Sequence, residues 1–109
     1  MADNVKIVTF VPESHADEVR KAMGDAGAGV IGKYDHCSFS SKGTGRFTPL
    51  IGAKPTFGEV GKQAEINEER IEVVCAKEKA KEVIAAIKKA HPYEKAALDI
   101  YSLISENEL

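Results

Sequence analysis

Two amphipathic helix patterns, each placed directly after a strand-like segment, constrain the fold of this 109-residue chain most strongly. In both patterns the apolar residues recur at i, i+3, i+4 and i+7, which places them along one side of a helix. They are Val19, Ala22, Met23 and Ala26 in the first pattern and Ala80, Val83, Ile84 and Ile87 in the second. Each helix therefore has one apolar stripe to bury against a core.

The segments before the two helices have strand character. Residues 5–11 are rich in β-branched side chains, and residues 70–76 alternate apolar and mostly polar positions, as in a half-buried strand. Ser14 with Asp17 three residues later predicts the start of the first helix as a capping box, and Gly27 predicts its end. The second helix is predicted from about Lys77 to Ala90 and ends before Pro92, and residues 98–103 form a last strand.

The middle of the chain is rich in glycine, because eight of the nine glycines lie between Gly27 and Gly61. Residues 34–41 and 46–51 have strand character, and the glycine-containing segment 42–45 between them predicts a turn. We therefore predict a β-hairpin over residues 34–51, followed by a loop over residues 52–63.

The element order is then βαββαβ, which predicts an α+β class with a ferredoxin-like sandwich in a single domain, 1–109. Two helices cover one face of an antiparallel sheet. Two strand segments are apolar on both faces, since Val8 and Phe10 point opposite to Ile7 in the first, and Val74 points opposite to Val73 in residues 70–76. This pattern predicts a homo-oligomer, in which another subunit covers the open face of the sheet.

Composition argues against several classes of protein. The net charge is −2, Trp is absent and no basic run occurs, which argues against nucleic-acid binding. No apolar stretch approaches the ~20 residues that span a bilayer, and residues 1–10 lack a secretion-signal pattern. We expect a cytoplasmic protein with no membrane partner, in which Cys37 and Cys75 are reduced, small apolar residues on strands.

Residues 27–32 match the pattern G-x-G-x-x-G. A dinucleotide site needs a strand before this pattern and a helix after it, so that the pyrophosphate meets a helix N-terminus. Here the order is reversed, and the predicted structure is a helix end with a tight link to the next strand. Phosphate-loop, H-E-x-x-H and C-x-x-C motifs do not occur.

Candidate metal ligands are His36, His91 and Glu94, with Cys37 as an optional thiolate. If the predicted hairpin folds across the end of the second helix, these side chains converge in a way that suits a divalent transition metal such as zinc. The alternative is structural, with His91 bonding the last carbonyls of the helix before a turn. A nucleophilic enzyme would use Cys37 with His36 or His91 as base.

Four segments together resemble a known family. They are residues 26–34 (AGAGVIGKY), 36–39 (HCSF), 43–49 (GTGRFTP) and 90–94 (AHPYE), with GAKP at 52–55 and GEVG at 58–61 between the last two. This set resembles the insert domain of the NGG-interacting-factor-three-like family, whose members carry a dinuclear metal site. The resemblance runs over residues 5–103 and implies a fold similar to PII signalling proteins and CutA divalent-cation-tolerance proteins.

The resemblance places the family's dinuclear metal ligands in flanking core domains, for which 109 residues leave no room. It implies the insert standing alone, and by analogy with PII and CutA it favours a trimer. The chain departs from the family at Lys33, at Thr56-Phe57, and at Lys95 and Ala96. Lys95 replaces a second carboxylate beside Glu94, which weakens any acidic site there.

The function that we expect is a non-catalytic, regulatory module of the PII/CutA type, which binds a small ligand or a divalent metal. Backbone amides at glycines suit an anion, and the side chains near them complete the predicted site. The candidate ligand-binding residues are Tyr34, Cys37, Ser38, Gly43, Gly45 and Tyr93. The alternatives are an oligomer-assembly or protein-interaction domain and a Cys/His hydrolase.

Overall fold

A computed structural model describes residues 3–109 and contains a four-stranded sheet with two α-helices. The elements are β1 (Asn4–Pro12), α1 (Ala16–Asp25), β2 (Phe39–Phe47), β3 (Ala64–Ala76), α2 (Ala80–Ala90) and β4 (Ala97–Ser102). All neighbouring strands are antiparallel, in the order β2-β3-β1-β4. This arrangement confirms the predicted ferredoxin-like α+β fold.

The core lies between the helices and one face of the sheet. The predicted helix stripes supply Val19 and Met23 from α1 and Val83 and Ile87 from α2, all fully buried. They pack against alternate residues of the two central strands, which include Val5, Ile7, Val11, Ile71, Val73 and Cys75. Each large apolar side chain buried in this way contributes about 1.5–3 kcal/mol of transfer free energy.

The predicted hairpin over residues 34–51 is wrong in its strands and its turn. β2 runs without interruption through the two glycines that were expected to form a turn, and it pairs with β3 from Phe39↔Glu72 to Phe47↔Ala64. Gly43 and Gly45 have no positive φ, so they continue the strand instead of reversing it. The connection is residues 48–63, and β3 begins at Ala64, six residues earlier than predicted.

The first helix also begins differently from the prediction. Ser14 lies in a short 3₁₀ turn, where its hydroxyl forms a hydrogen bond with His15 Nδ1 (2.8 Å) instead of capping the helix. Gly27 does end the helix, with φ of 110°. Gly29, at φ of 83°, sits so close to Cys37 that a Cβ there would lie 2.4 Å from the Cys37 carbonyl oxygen. This confirms residues 27–32 as a helix end and tight link.

The remaining correction concerns Cys37. Cys37 lies before β2, not on a strand, whereas Cys75 is buried in β3 as predicted, and both thiols are free.

On the sheet face away from the helices, Val8 is fully buried, and Phe10 and Val74 are half-buried. None of the helices within residues 3–109 is long and apolar enough to cross a membrane.

Candidate aromatic pocket

A cavity of about 370 Å³ opens on the sheet face away from the helices, where β1 ends and β3 begins. Its walls come from β2, β3, the connection over residues 48–63 and the segment between α2 and β4. Four aromatic rings line it, from Phe10, Phe47, Phe57 and Tyr93. The pocket is therefore assembled from distant parts of the chain. The first and last of its lining residues, Phe10 and Ala97, are 87 residues apart in the sequence.

Tyr93 is the centre of the aromatic wall. Its ring meets Phe47 edge-on, with centroids 5.9 Å apart and planes at 62°. It meets Phe57 in the same manner at 6.1 Å and 77°. Edge-to-face arrangements at these distances are favourable for aromatic rings, because the positive edge of one meets the negative face of the other. The three rings thus form a defined apolar surface.

A carboxylate lies at the inner end of this surface. The Tyr93 hydroxyl donates a hydrogen bond to Glu68 Oε2 at 2.8 Å, and Glu68 is only 9% exposed. Burial, and then the Glu68 contact, raise the pKa of Tyr93 well above its usual value of 10, so the phenol stays neutral and remains a donor. Within residues 3–109, Glu68 forms no ion pair.

His91 lies behind Tyr93 and fixes its position. The ring nitrogen Nε2 is 2.7 Å from the Phe10 carbonyl oxygen, and Nδ1 accepts a hydrogen bond from the Tyr93 backbone N–H at 3.1 Å. A carbonyl only accepts and an amide N–H only donates, so the imidazole is neutral with its proton on Nε2. Burial lowers the pKa of His91, which favours the same neutral form.

Two hydrogen bonds hold the 48–63 connection against the segment that follows α2. The Lys54 backbone N–H donates to Glu94 Oε1 at 3.1 Å, and the Thr56 hydroxyl donates to the Pro92 carbonyl oxygen at 2.7 Å. Glu94 itself is exposed. The connection thereby brings Phe57 over Tyr93 and forms the outer wall of the pocket.

A second polar cluster surrounds His36. Its Nε2 lies 2.9 Å from Asp25 Oδ1 at the end of α1, and its Nδ1 lies 3.0 Å from Asp35 Oδ1. The hydrogen bond with Asp25, and then that with Asp35, raise the pKa of His36, because both carboxylates favour the imidazolium. The ring packs so closely on Gly24 that a Cβ there would lie 2.1 Å from it.

The predicted site residues fall into three groups. Gly45, Tyr93 and Glu94 line the pocket, and His91 supports it. Tyr34, His36, Cys37 and Ser38 all lie in the segment before β2, while Gly43 lies on β2 with open space beside it. The predicted site is therefore divided between different parts of the molecule.

The expected convergence of His36, Cys37, His91 and Glu94 does not occur. Cys37 is hydrogen-bonded through Gly29 to Val74, opposite Lys6, whereas His91 bonds Phe10, four residues and about 13 Å further along β1. The predicted hairpin would have been needed to close this distance. Residues 3–109 contain no group of three His, Cys, Asp or Glu side chains arranged for a metal ion. The Cys37 thiol contacts the Asp35 carbonyl oxygen at 3.8 Å.

The sequence did not reveal four residues that line the pocket, which are Phe10, Phe47, Phe57 and Glu68. Glu68 is one of four glutamates in residues 65–72, and nothing in that run distinguishes it from the others. The available signal was the combination of Pro92-Tyr93 with one phenylalanine just before a long, proline-containing connection, Phe47, and another within it, Phe57. An aromatic residue within such a connection indicates that it folds back onto an apolar surface.

No family model matches this chain. The chain is 52% identical over 96 residues to a protein of Bacillus subtilis described as a GTP cyclohydrolase 1 type 2 homolog, covering 88% of this chain and 26% of that protein. The Bacillus cereus protein related to NIF3 superposes with a TM-score of 0.84 at 47% identity, over 95% of this chain and 26% of that structure. The chain therefore spans about a quarter of the length of these relatives.

More distant structures share the fold. Periplasmic divalent cation tolerance protein CutA from Archaeoglobus fulgidus superposes with a TM-score of 0.67 at 17% identity, over 94% of this chain and 85% of CutA. GlnK of Bacillus subtilis does so with a TM-score of 0.60 at 14% identity, over 94% of this chain and 86% of GlnK.

The fold thus defines a ferredoxin-like domain of the PII/CutA type. More specifically, the chain is similar to about a quarter of the length of NIF3-related proteins, at 47–52% identity, which confirms the resemblance noted in the sequence.

Proposed function

We propose that this domain is a non-catalytic binding module that takes a small organic ligand in the aromatic pocket. The observation that carries the proposal is the pocket itself, a cavity of about 370 Å³ that is lined by three aromatic rings in edge-to-face contact and by one buried carboxylate. Ligand sites are typically concave and mostly apolar, with a few well-placed polar groups, and a volume of this size falls in their usual range.

The polar groups of the pocket are suited to recognition more than to chemistry. Tyr93 is a neutral donor with a raised pKa, so it is a poor proton-transfer group near neutral pH. Glu68, Glu94 and Thr56 each already form a hydrogen bond that maintains the walls. A nucleophile held by an oriented base, which covalent catalysis requires, is not a feature of this lining.

A regulatory role fits the way in which the pocket is closed. Its outer wall is the 48–63 connection, held by the Lys54–Glu94 and Thr56–Pro92 hydrogen bonds and by the contact of Phe57 with Tyr93. A ligand between these rings would stabilise the closed connection relative to an open one, because it binds only where both walls are present. The occupied pocket would then present a different surface to a partner.

A thermal-shift screen followed by NMR tests this function. At about 100 times its dissociation constant a ligand adds roughly 2.7 kcal/mol of stability, and the panel should include metabolites, nucleotides and divalent metals. Phe57→Ala should reduce the shift caused by a pocket ligand, while Leu50→Ala, an exposed residue of the same connection, serves as the matched control. A panel that shifts neither stability nor the resonances of Tyr93 would contradict the proposal.

A second candidate function is assembly into a homo-oligomer, with a trimer favoured. The observation in its favour is the apolar surface near the free edges of the sheet, where Phe39 on β2 is 67% exposed and Tyr101 on β4 is 44% exposed. Both strands are edge strands with unpaired backbone groups. Light scattering at micromolar concentration tests it, since a monomer contradicts assembly and a dimer contradicts the trimer.

Metal binding is still a prediction from the sequence, and the divalent metals in the thermal-shift panel test it. His36, His91 and Glu94 are not brought together within residues 3–109, and both ring nitrogens of each histidine are already in hydrogen bonds. A divalent metal that stabilises the protein through these residues would therefore have to rearrange them, and His91→Ala and Glu94→Ala would abolish its effect.

A further inference from the structure

We propose that the ligand of the aromatic pocket carries an organic cation, an ammonium or amidinium group, which Glu68 and the surrounding rings bind. This inference rests on the proposed function, because it names the chemical class of ligand for the same pocket. It follows from the burial and hydrogen bonding of Glu68, from the chemistry of the walls and from the position of the exposed charges at the rim.

Glu68 is a carboxylate that is shielded from water and has no cationic partner among residues 3–109. It is 9% exposed, and its one hydrogen bond, to Oε2, comes from the neutral hydroxyl of Tyr93. The other oxygen, Oε1, lies beside Gly45, where a Cβ would approach it to 1.9 Å. Buried charges are normally paired, because taking an ion out of water is costly. A ligand cation in the pocket supplies the missing pair.

Gly45 makes this geometry possible. Any side chain at that position would occupy the space of the carboxylate, whereas Gly43, two residues away on the same strand, has open space beside it. β2 therefore leaves room for the Glu68 carboxylate at Gly45, and Gly43 makes no comparable contact. The carboxylate lies in the pocket lining as a result of this local fit.

The aromatic walls distinguish an organic cation from a metal ion. Phe47, Phe57 and Tyr93 present ring surfaces that attract ammonium and guanidinium-like groups, most strongly where water is excluded. Hard divalent metals prefer six or more oxygen ligands, which a site with one buried carboxylate does not provide. The same site would also favour a cation over a neutral ligand of the same shape.

The other charged residues of the lining are at the solvent side. Glu94 and Lys95 are exposed, and Arg46 is exposed and paired with Glu65 at 3.1 Å. Exposed charges are screened by salt and water, so their effect on a group beside Glu68 is weak. The inner end of the pocket is negative, and the cationic end of the ligand therefore points inward.

The experiment compares choline with 3,3-dimethylbutan-1-ol, a neutral molecule of nearly the same shape, by NMR titration of the full 109-residue chain. We expect choline to shift the resonances of Phe47, Phe57 and Tyr93 and to bind at least about tenfold more tightly than the neutral isostere. This comparison on the unaltered chain needs no variant, so it remains decisive even if a pocket variant fails to fold.

Glu68→Gln should remove the preference for choline and bring both molecules to a similar affinity. Glu82→Gln, on the exposed side of α2, removes the same charge elsewhere and should leave the preference unchanged. Circular dichroism and the amide spectrum establish that each variant is folded.

Equal affinities for choline and the isostere in the unaltered chain, with both bound in the pocket, would overturn the cation assignment and leave the proposed function standing. A preference for choline that survives in folded Glu68→Gln would also overturn it. If neither molecule nor any compound of the wider panel perturbs the pocket, the proposed function itself fails.

Discussion

The two ends of β1 show how one residue type takes on opposite properties in two environments. Near its C-terminal end, His91 is 6% exposed, bonds only backbone groups and has a lowered pKa. Near its N-terminal end, His36 is bonded to the carboxylates of Asp25 and Asp35 and has a raised pKa. Both imidazoles use both ring nitrogens, yet one is held neutral and the other is favoured as a cation.

The pKa values of the two histidines shift in opposite directions because the two rings have different surroundings. At His91, burial removes water and the fixed backbone groups select one neutral tautomer, so the ring is part of the pocket wall. At His36, the side chain stays accessible to water and the two carboxylates stabilise its charged form. Its hydrogen bonds connect α1 to the segment before β2 at the protein surface. The pocket end of the sheet is therefore where substitutions should matter most.

Replacement of His91 should give the largest effect. His91→Ala removes a buried ring and leaves the Tyr93 N–H without its acceptor, so we expect a loss of about 2–4 kcal/mol in the free energy of unfolding. His36→Ala, the matched control, should change it much less, because the ring is exposed. Urea denaturation of both variants measures the difference, and equal losses would break the contrast between the two ends of β1.

Removal of one hydroxyl tests the Tyr93–Glu68 pair. Tyr93→Phe keeps the ring but leaves the buried carboxylate without its donor, and we expect a loss of about 1–3 kcal/mol. Tyr101→Phe is the control, since no hydrogen bond of the Tyr101 hydroxyl is found within residues 3–109 and the side chain is 44% exposed. Thermal unfolding compares them, and a loss in Tyr93→Phe no larger than in the control would show that Glu68 does not depend on this contact.

The two glycines of β2 offer a finer test. Gly45→Ala should force Glu68 out of its position, at a cost of about 1 kcal/mol in stability, and it should weaken any pocket ligand. Gly43→Ala meets open space and should be neutral or stabilise by up to about 0.5–1 kcal/mol. Chemical denaturation separates the two, and identical behaviour would mean that the carboxylate adapts freely.

The smallest effect is the pH dependence of the two histidines. The lowered pKa of His91 means that its contribution to stability is complete above pH 6.5 and is lost as the pH falls through its folded pKa. The raised pKa of His36 means that its contribution is complete below pH 6.5 and is lost as the pH rises through its folded pKa. NMR titration of the two rings should give midpoints on opposite sides of pH 6.5, and midpoints in the other order would refute this assignment.

The sequence by itself determined the two helices, the order of elements along the chain and the resemblance to NIF3-related proteins. The helix stripes at Val19, Met23, Val83 and Ile87 are local periodic patterns, and each was buried as expected, because an apolar stripe has few ways to leave water. The βαββαβ order then restricts the topology to a small number of folds.

Tertiary structure alone decided the pocket. The uninterrupted course of β2 through Gly43 and Gly45 depends on pairing with β3, and a glycine by itself allows both a turn and a strand. The burial of Glu68 depends on Gly45 and on Tyr93, which lies 25 residues further along the chain. Such long-range contacts set which of several similar glutamates loses its water, and no local pattern in the sequence records them.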